Sequence, residues 1–296
     1  MIERIIETPD GVRLRTYEVG CGQPVLIVNG LGGTPDAWRR VIERFRDRFR
    51  FLTWDYRGLY GSSRPEATGA FSVGHHVEDA RLVLRHFGVD RAVVMGWSMG
   101  VQVSLALALA APESVRALTL INGTYGSPLG TAFDIPWISA VLPRAVQMAI
   151  PLAPVLGPVV GAVAPSQWLL DLGIRVGFAG PTIDREVLAA VTGRWGELDF
   201  DAFFRNLAAL GDHDAGPDLV QVAAPTLIIH GDRDALTPHR VTQRMLDELR
   251  DASLFTVVDG SHYSILEHPH VVNERLEEFL APFSLAAGSL VLDSSP

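Results

Sequence analysis

Short apolar runs recur along the chain, separated by mixed polar and apolar text. The runs "PVLIVN" (24–29), "FLTWD" (51–55), "RAVVMG" (91–96), "ALTLIN" (117–122), "APTLIIHGD" (224–232) and "SLFTVV" (253–258) each end in polar or glycine-rich turns. Runs of that length, bounded in that way, predict buried strands. Between them, "DAWRRVIERF" (36–45), "HHVEDARLVLRHFG" (75–88), the stretch from Met99 to Ala111 stopped by Pro112, and "RVTQRMLDELR" (240–250) predict helices, with a closing helix from about Pro269 to Phe283. Upstream, "ERIIET" and "RLRTYEV" alternate in character around the turn "PDG" and predict a hairpin of two edge strands. The fold class expected is α/β: an eight-stranded, mostly parallel sheet flanked by helices.

The rhythm breaks after Gly123 and resumes only before "APTLIIHGD". The text between is rich in Pro, Gly, Ala and Trp, so a helical lid over 124–217 is expected between two strands of a core made of 1–123 and 218–283. A flexible tail is expected over 284–296. Between Arg144 and Asp171 the lid carries no charged residue, a length sufficient on paper for a membrane span. Pro151, Pro154, Pro158 and Pro165 would break a straight helix there, so an apolar flap over a pocket is the favoured reading and membrane association the less favoured one.

Composition narrows the classes further. The chain is 296 residues long with a net charge of −9 and no large basic cluster, which argues against a nucleic-acid partner. Its one cysteine, Cys21, can form neither a disulfide framework nor a cysteine metal site, and the N-terminal text lacks a secretory pattern. A cytoplasmic protein with no metal is expected.

The chemistry is concentrated at "GWSMG" (96–100), where a strand gives way to a helix. Gly96 and Gly100 remove Cβ atoms that would collide in a tight strand-to-helix turn, and the turn thrusts Ser98 above the sheet edge. The bland alternative is a serine N-cap. A serine hydroxyl needs a base, and the base needs an orienting carboxylate. Asp232 and Asp234 follow one later strand in "LIIHGDRDALTP", and His262 follows the next in "FTVVDGSHYSILEHP". Sites in parallel sheets form at the carboxyl ends of strands, where all three residues are expected. His230 is read as packed, His213 as part of a polar turn, and His268 and His270 as solvated.

On these residues the chain resembles the α/β-hydrolase fold superfamily, in its lid-bearing serine-nucleophile branch, over nearly its whole length. The resemblance implies a Ser98, Asp234, His262 triad. The family's G-x-x-D-x-x-x-P pattern matches Gly231, Asp234 and Pro238, which selects Asp234 over Asp232. "DYRGLYGSS" resembles the family's D-x-R-G-x-G-x-S segment with one residue more, and "NGLGG" resembles its H-G-x-G turn with Asn29 in place of histidine. By the same resemblance the backbone N–H groups of Leu31 and Met99 form an oxyanion hole. Gly30, Trp97 and Trp137 are the candidate substrate contacts. The activity implied is cofactor-free hydrolysis of a carboxylic ester with an apolar small or medium acyl group. Thioester, lactone or carbon–carbon bond hydrolysis, perhydrolysis and a non-catalytic ligand receptor are the alternatives.

Overall fold

In the computed structural model, described over residues 1–175 and 179–284, eight strands form one sheet in the order β1-β2-β4-β3-β5-β6-β7-β8. They are β1 (Ile2–Glu7), β2 (Arg13–Gly20), β3 (Gln23–Val28), β4 (Phe49–Trp54), β5 (Ala92–Trp97), β6 (Val115–Ile121), β7 (Thr226–Gly231) and β8 (Ala252–Val257). The sheet is parallel from β4 to β8 and antiparallel only where β1 meets β2 and β2 meets β4. The expectation of two edge strands in the hairpin is therefore corrected. Of the two hairpin strands only β1 is an edge, because β2 uses its second side to pair with β4.

The two faces of the sheet are both apolar. Leu26, Val28, Val94, Leu118, Leu120 and Ile228 face one side and Val25, Ile27, Val93, Met95, Leu227 and Ile229 the other, as the two-residue period of a strand requires. Helices cover both. The described helices are α1 (Arg39–Phe45), α2 (Val73–His86), α3 (Met99–Ala110), α4 (Pro128–Thr131), α5 (Pro136–Ala149), α6 (Ala153–Val163), α7 (Gln167–Arg175), α8 (Arg185–Gly193), α9 (Phe200–Gly211), α10 (His239–Glu248), α11 (Ser264–Glu267) and α12 (Pro269–Leu280). Of these, α2, α3 and α10 share a core with the first face, and α1 and α12 with the second.

Helices α4 to α9 lie in the insertion between β6 and β7. Ion pairs fasten it to the core on two sides: Arg40 to Asp184 (2.8 Å) and Arg39 to Glu186 (3.0 Å), then Arg64 to Asp199 (3.1 Å). A buried hydrogen bond joins His76 Nε2 of α2 to Asn206 Oδ1 of α9 at 2.7 Å. The prolines break the insertion less than expected. Helical backbone runs from Ala140 to Val163: Pro151 sits in a 3₁₀ turn and Pro154 in the first turn of α6, where a missing N–H costs little, while Pro143 and Pro158 are carried inside α5 and α6. The expected tail lies, apart from Ser284, outside the described residues, as does Phe178 of the insertion.

Candidate active site

Ser98 occupies a backbone conformation that side-chain-bearing residues rarely adopt, φ 55° and ψ −116°, between the last residue of β5 and the first of α3. The turn is tight enough that a Cβ on Gly100 would strike the Val28 carbonyl. One on Gly96 would lie 2.5 Å from the Gly100 carbonyl oxygen. Such strain persists only where the surroundings impose it, and it clusters at functional sites.

Three loops at the carboxyl edge of the sheet converge there. His262, after β8, places Nε2 2.8 Å from Ser98 Oγ, and its Nδ1 lies 2.9 Å and 3.1 Å from the two carboxylate oxygens of Asp234, after β7. In the neutral imidazole that serves as base, Nδ1–H donates to Asp234 and Nε2 accepts from the serine hydroxyl. Asp234 is fully occupied: the Leu236 and Thr237 backbone N–H groups, the Thr237 hydroxyl and Asn122 Nδ2 (2.9 Å) also donate to it. Burial pushes this carboxyl up, but the positive charge that His262 carries when protonated and the donors outweigh burial and hold it at about 2. Asp232 makes no contact with His262 among the contacts described, and the aspartate chosen from the family pattern is the one that reaches the ring.

The glycine-rich loop after β3 is braced from both sides. Met99 is the first residue of α3, so its N–H has no partner one turn back, and Leu31 lies in the loop after β3. Asn29 does not point its amide at the site. Its side chain donates to Thr53 Oγ1 (3.1 Å) and accepts from Trp38 Nε1 (2.8 Å), while Tyr56 donates to its carbonyl (2.6 Å). The Gly32 carbonyl accepts from both the Tyr60 hydroxyl (2.5 Å) and Trp195 Nε1 of the insertion (3.2 Å). Tyr60 belongs to the over-long "GLYG" loop and adopts a positive φ of 48°, and this longer loop puts a hydroxyl onto the Gly32 carbonyl.

A cavity of about 370 Å³ adjoins this turn. Its walls are mostly aliphatic and aromatic, including Leu31, Trp97, Leu170, Ile183, Val191 and Trp195. Ser98 is not itself a lining residue, but its neighbours Leu31, Trp97 and Tyr263 are. Trp97 lines the cavity and donates Nε1–H to the His262 carbonyl at 3.0 Å. Gly30 lies under Trp97 and Ser98, where a Cβ would come within 3.0 Å of the indole, and it does not line the cavity. Trp137 is corrected: at the first turn of α5 it is 69% exposed and away from the cavity, and Trp195 takes the place expected of it.

His230 is buried against Thr242, as read, whereas His268, read as solvated, is half-buried beside Thr182. Sequence reasoning left Trp195 open between lid core and substrate wall, and missed Tyr60 and Glu267. Glu267 is buried and accepts from Ser261 N–H (2.7 Å) and Gly180 N–H (2.6 Å), tying the histidine loop to the insertion. Only Tyr60 had a signal in the sequence, the departure of its loop from the family pattern.

Nucleophile, base and acid thus arrive after β5, β8 and β7, and the class of protein follows: a serine hydrolase built on a parallel sheet. Residues 23–145 match the family model described as alpha/beta hydrolase fold, and residues 211–288 that described as TAP-like protein. The chain belongs to the α/β-hydrolase superfamily. It is similar to the "Putative carbamate hydrolase RutD" of Azorhizobium caulinodans, 29% identical with 89% of this chain and 93% of the relative covered. Among solved structures it resembles an esterase from Exiguobacterium antarcticum (TM-score 0.77, 19% identical, 95% and 100% covered). It also resembles the enol-lactonase from Burkholderia xenovorans (TM-score 0.72, 21% identical, 91% and 97% covered).

Proposed function

We propose that the protein hydrolyses carboxylic esters of apolar, small or medium acyl groups through an acyl-enzyme. The observation that carries this reading is the unbroken hydrogen-bonded path Ser98–His262–Asp234 beside an apolar cavity of about 370 Å³. A cavity of that size and lining suits a small organic acyl group.

In the proposed reaction Ser98 Oγ bonds to the ester carbonyl carbon as His262 Nε2 takes its proton, and Asp234 holds the resulting imidazolium. The Leu31 and Met99 N–H groups receive the oxyanion. The carbon–oxygen bond to the alcohol then breaks, with the proton passing from His262 to the departing oxygen. Water, deprotonated by His262, attacks the acyl-enzyme, releases the acid and restores Ser98. The lone cysteine supports work in a reducing compartment such as the cytoplasm.

The test is turnover of p-nitrophenyl esters of rising chain length beside a thioester, a lactone and a carbamate. Highest kcat/KM on an ester of intermediate chain length is expected. A preference for the carbamate or lactone would overturn the substrate class, and absence of fluorophosphonate labelling at Ser98 in folded protein would overturn the mechanism.

A further inference from the structure

The insertion carries a second apolar surface that the ester cavity does not use. From Ala140 to Val163 the chain forms a helical rod of about 36 Å, since torsions at the junctions of α5, the turn Ile150–Leu152 and α6 stay in the right-handed helical region. One stripe of this rod faces inward: Val146, Ala153 and Gly157 are buried, and a Cβ on Gly157 would lie 3.0 Å from the Phe200 ring of α9. A second stripe is just as apolar and faces out. Val141, Met148 and Val155 repeat every seven residues, with Leu152 and Val159 beside them. Met148 and Val155 are each 70% exposed. Five residues separate Met148 from Ala153, which sets the two stripes about 140° apart around the helix.

A helix on a water-facing surface ordinarily turns a polar face outward, and one that is apolar all round is buried in protein or lipid. This rod has neither cover: only 11% of its most apolar stretch is buried. Three features indicate the missing partner. Arg144, which opens the uncharged run, and Arg175, beyond its end, are exposed, while Asp171, which closes it, is paired with Arg185. The neighbouring acids Asp171, Asp199 and Asp201 are paired with Arg185 and Arg64, and Asp212 shares a groove with Arg144. In a chain of net charge −9, Arg144 and Arg175 are thus two exposed cations beside this hydrocarbon surface, of the kind that phosphate headgroups receive. Trp137 and Trp168, 69% and 60% exposed, stand before and after the rod, and amphipathic indoles favour a membrane–water interface. Finally, the rod runs directly into the cavity wall: Ala164, Pro165, Leu169 and Leu170 follow it in sequence and line the cavity.

We propose that the outer stripe of α5 and α6 is a docking surface for a phospholipid bilayer. The rod lies flat at the interface, with Met148, Leu152, Val155 and Val159 among the upper acyl carbons and Arg144 at the phosphates. It does not cross, because its inner stripe stays packed on α9. The docked orientation brings the cavity wall to the lipid surface, a short apolar route for an ester dissolved there.

The test is flotation of the full chain with phosphatidylcholine vesicles, with and without phosphatidylglycerol, a measurement that needs no turnover and so stands apart from the ester-hydrolase reading. The wild type should float with both. The double variant M148D/V155D should bind at least about tenfold more weakly, since each aspartate sets a charge in the apolar layer. That variant should keep its circular dichroism and its kcat on a water-soluble short ester, because neither residue lines the cavity. Arg144→Gln should weaken binding only to the anionic vesicles. A wild type that stays unbound, or a double variant that floats equally well, overturns the proposal. So does a dimer in sedimentation velocity that Val155→Asp dissociates while vesicles bind neither form, which would make a second copy the cover.

Discussion

Helix α3 and the α5–α6 rod are written in nearly the same alphabet, yet the fold treats them in opposite ways. Neither Met99–Ala110 nor Ala145–Val163 contains a charged residue. In α3 the side chains of Val101, Val103, Leu105 and Leu107 are fully buried between the sheet and α2. In the rod, Val141, Met148, Leu152, Val155 and Val159 are exposed. Apolar composition states that a surface is costly in water, at about 25 cal/mol per Å². It does not state which partner removes the cost. For α3 the partner is the rest of the chain, and its position under the nucleophile depends on that packing.

The largest test of this contrast is at the first turn of α3. Ser98→Ala should lower ester kcat/KM by about 10³-fold or more, read by steady-state kinetics, with Tm near that of the wild type. Leu105→Ala, in the buried stretch of the same helix, should cost about 2–5 kcal/mol in urea unfolding, because the cavity it leaves cannot collapse against the sheet. A cost near zero would mean that α3 is not packed as described.

Asp55 supplies a pH-dependent test of the core. Burial raises its carboxyl to about 6, against hydrogen bonds from Gly61 N–H and Tyr17 that lower it. Between about pH 4 and 6 the folded state then holds a proton that the unfolded chain releases, so this group makes stability fall as pH rises through that window. Asp234 has the opposite sign but acts lower, its contribution being lost as pH falls from about 4 towards 2. Urea unfolding at pH 4, 5 and 6 should show the advantage of Asp55→Asn over wild type growing with pH. A constant difference would contradict the raised value.

Smaller effects sharpen the boundary between core and insertion. Tyr60→Phe removes one of two donors to the Gly32 carbonyl, a loss of about 1 kcal/mol, and should lower kcat roughly fivefold with KM unchanged. A lowered Tm with unchanged kcat would instead make the hydroxyl only structural. Val159→Ser, on the outer stripe, should alter unfolding free energy by less than about 0.5 kcal/mol. A cost comparable to that of Leu105→Ala would show the rod to be covered in solution.

The core was legible because its signals are local. Strand runs alternate with helices, and Gly96, Ser98 and Gly100 mark a turn that few other residues tolerate. The chain order of Ser98, Asp234 and His262 could be read because each follows a strand end. The status of β2 could not, since its free side finds β4 across residues 21–48, which carry no pairing code. Trp137 and Trp195 show the same limit. Both are tryptophans in helical text rich in apolar residues, and only the packing of α5 and of the 3₁₀ turn Arg194–Glu197 leaves one exposed and brings the other to the Gly32 carbonyl.

By itself the sequence determined the alternation of strand and helix and the strained serine turn, because backbone sterics and apolar periodicity act over a few residues, while the choice of Asp234 over Asp232 rested on the family resemblance. Tertiary structure alone decided that Tyr60 and Trp195 meet on the Gly32 carbonyl, that Asn122 holds Asp234, and that one apolar stripe of the α5–α6 rod is covered while its twin is not. Those contacts join residues distant in the chain, and their energies depend on which surfaces the completed sheet leaves within reach.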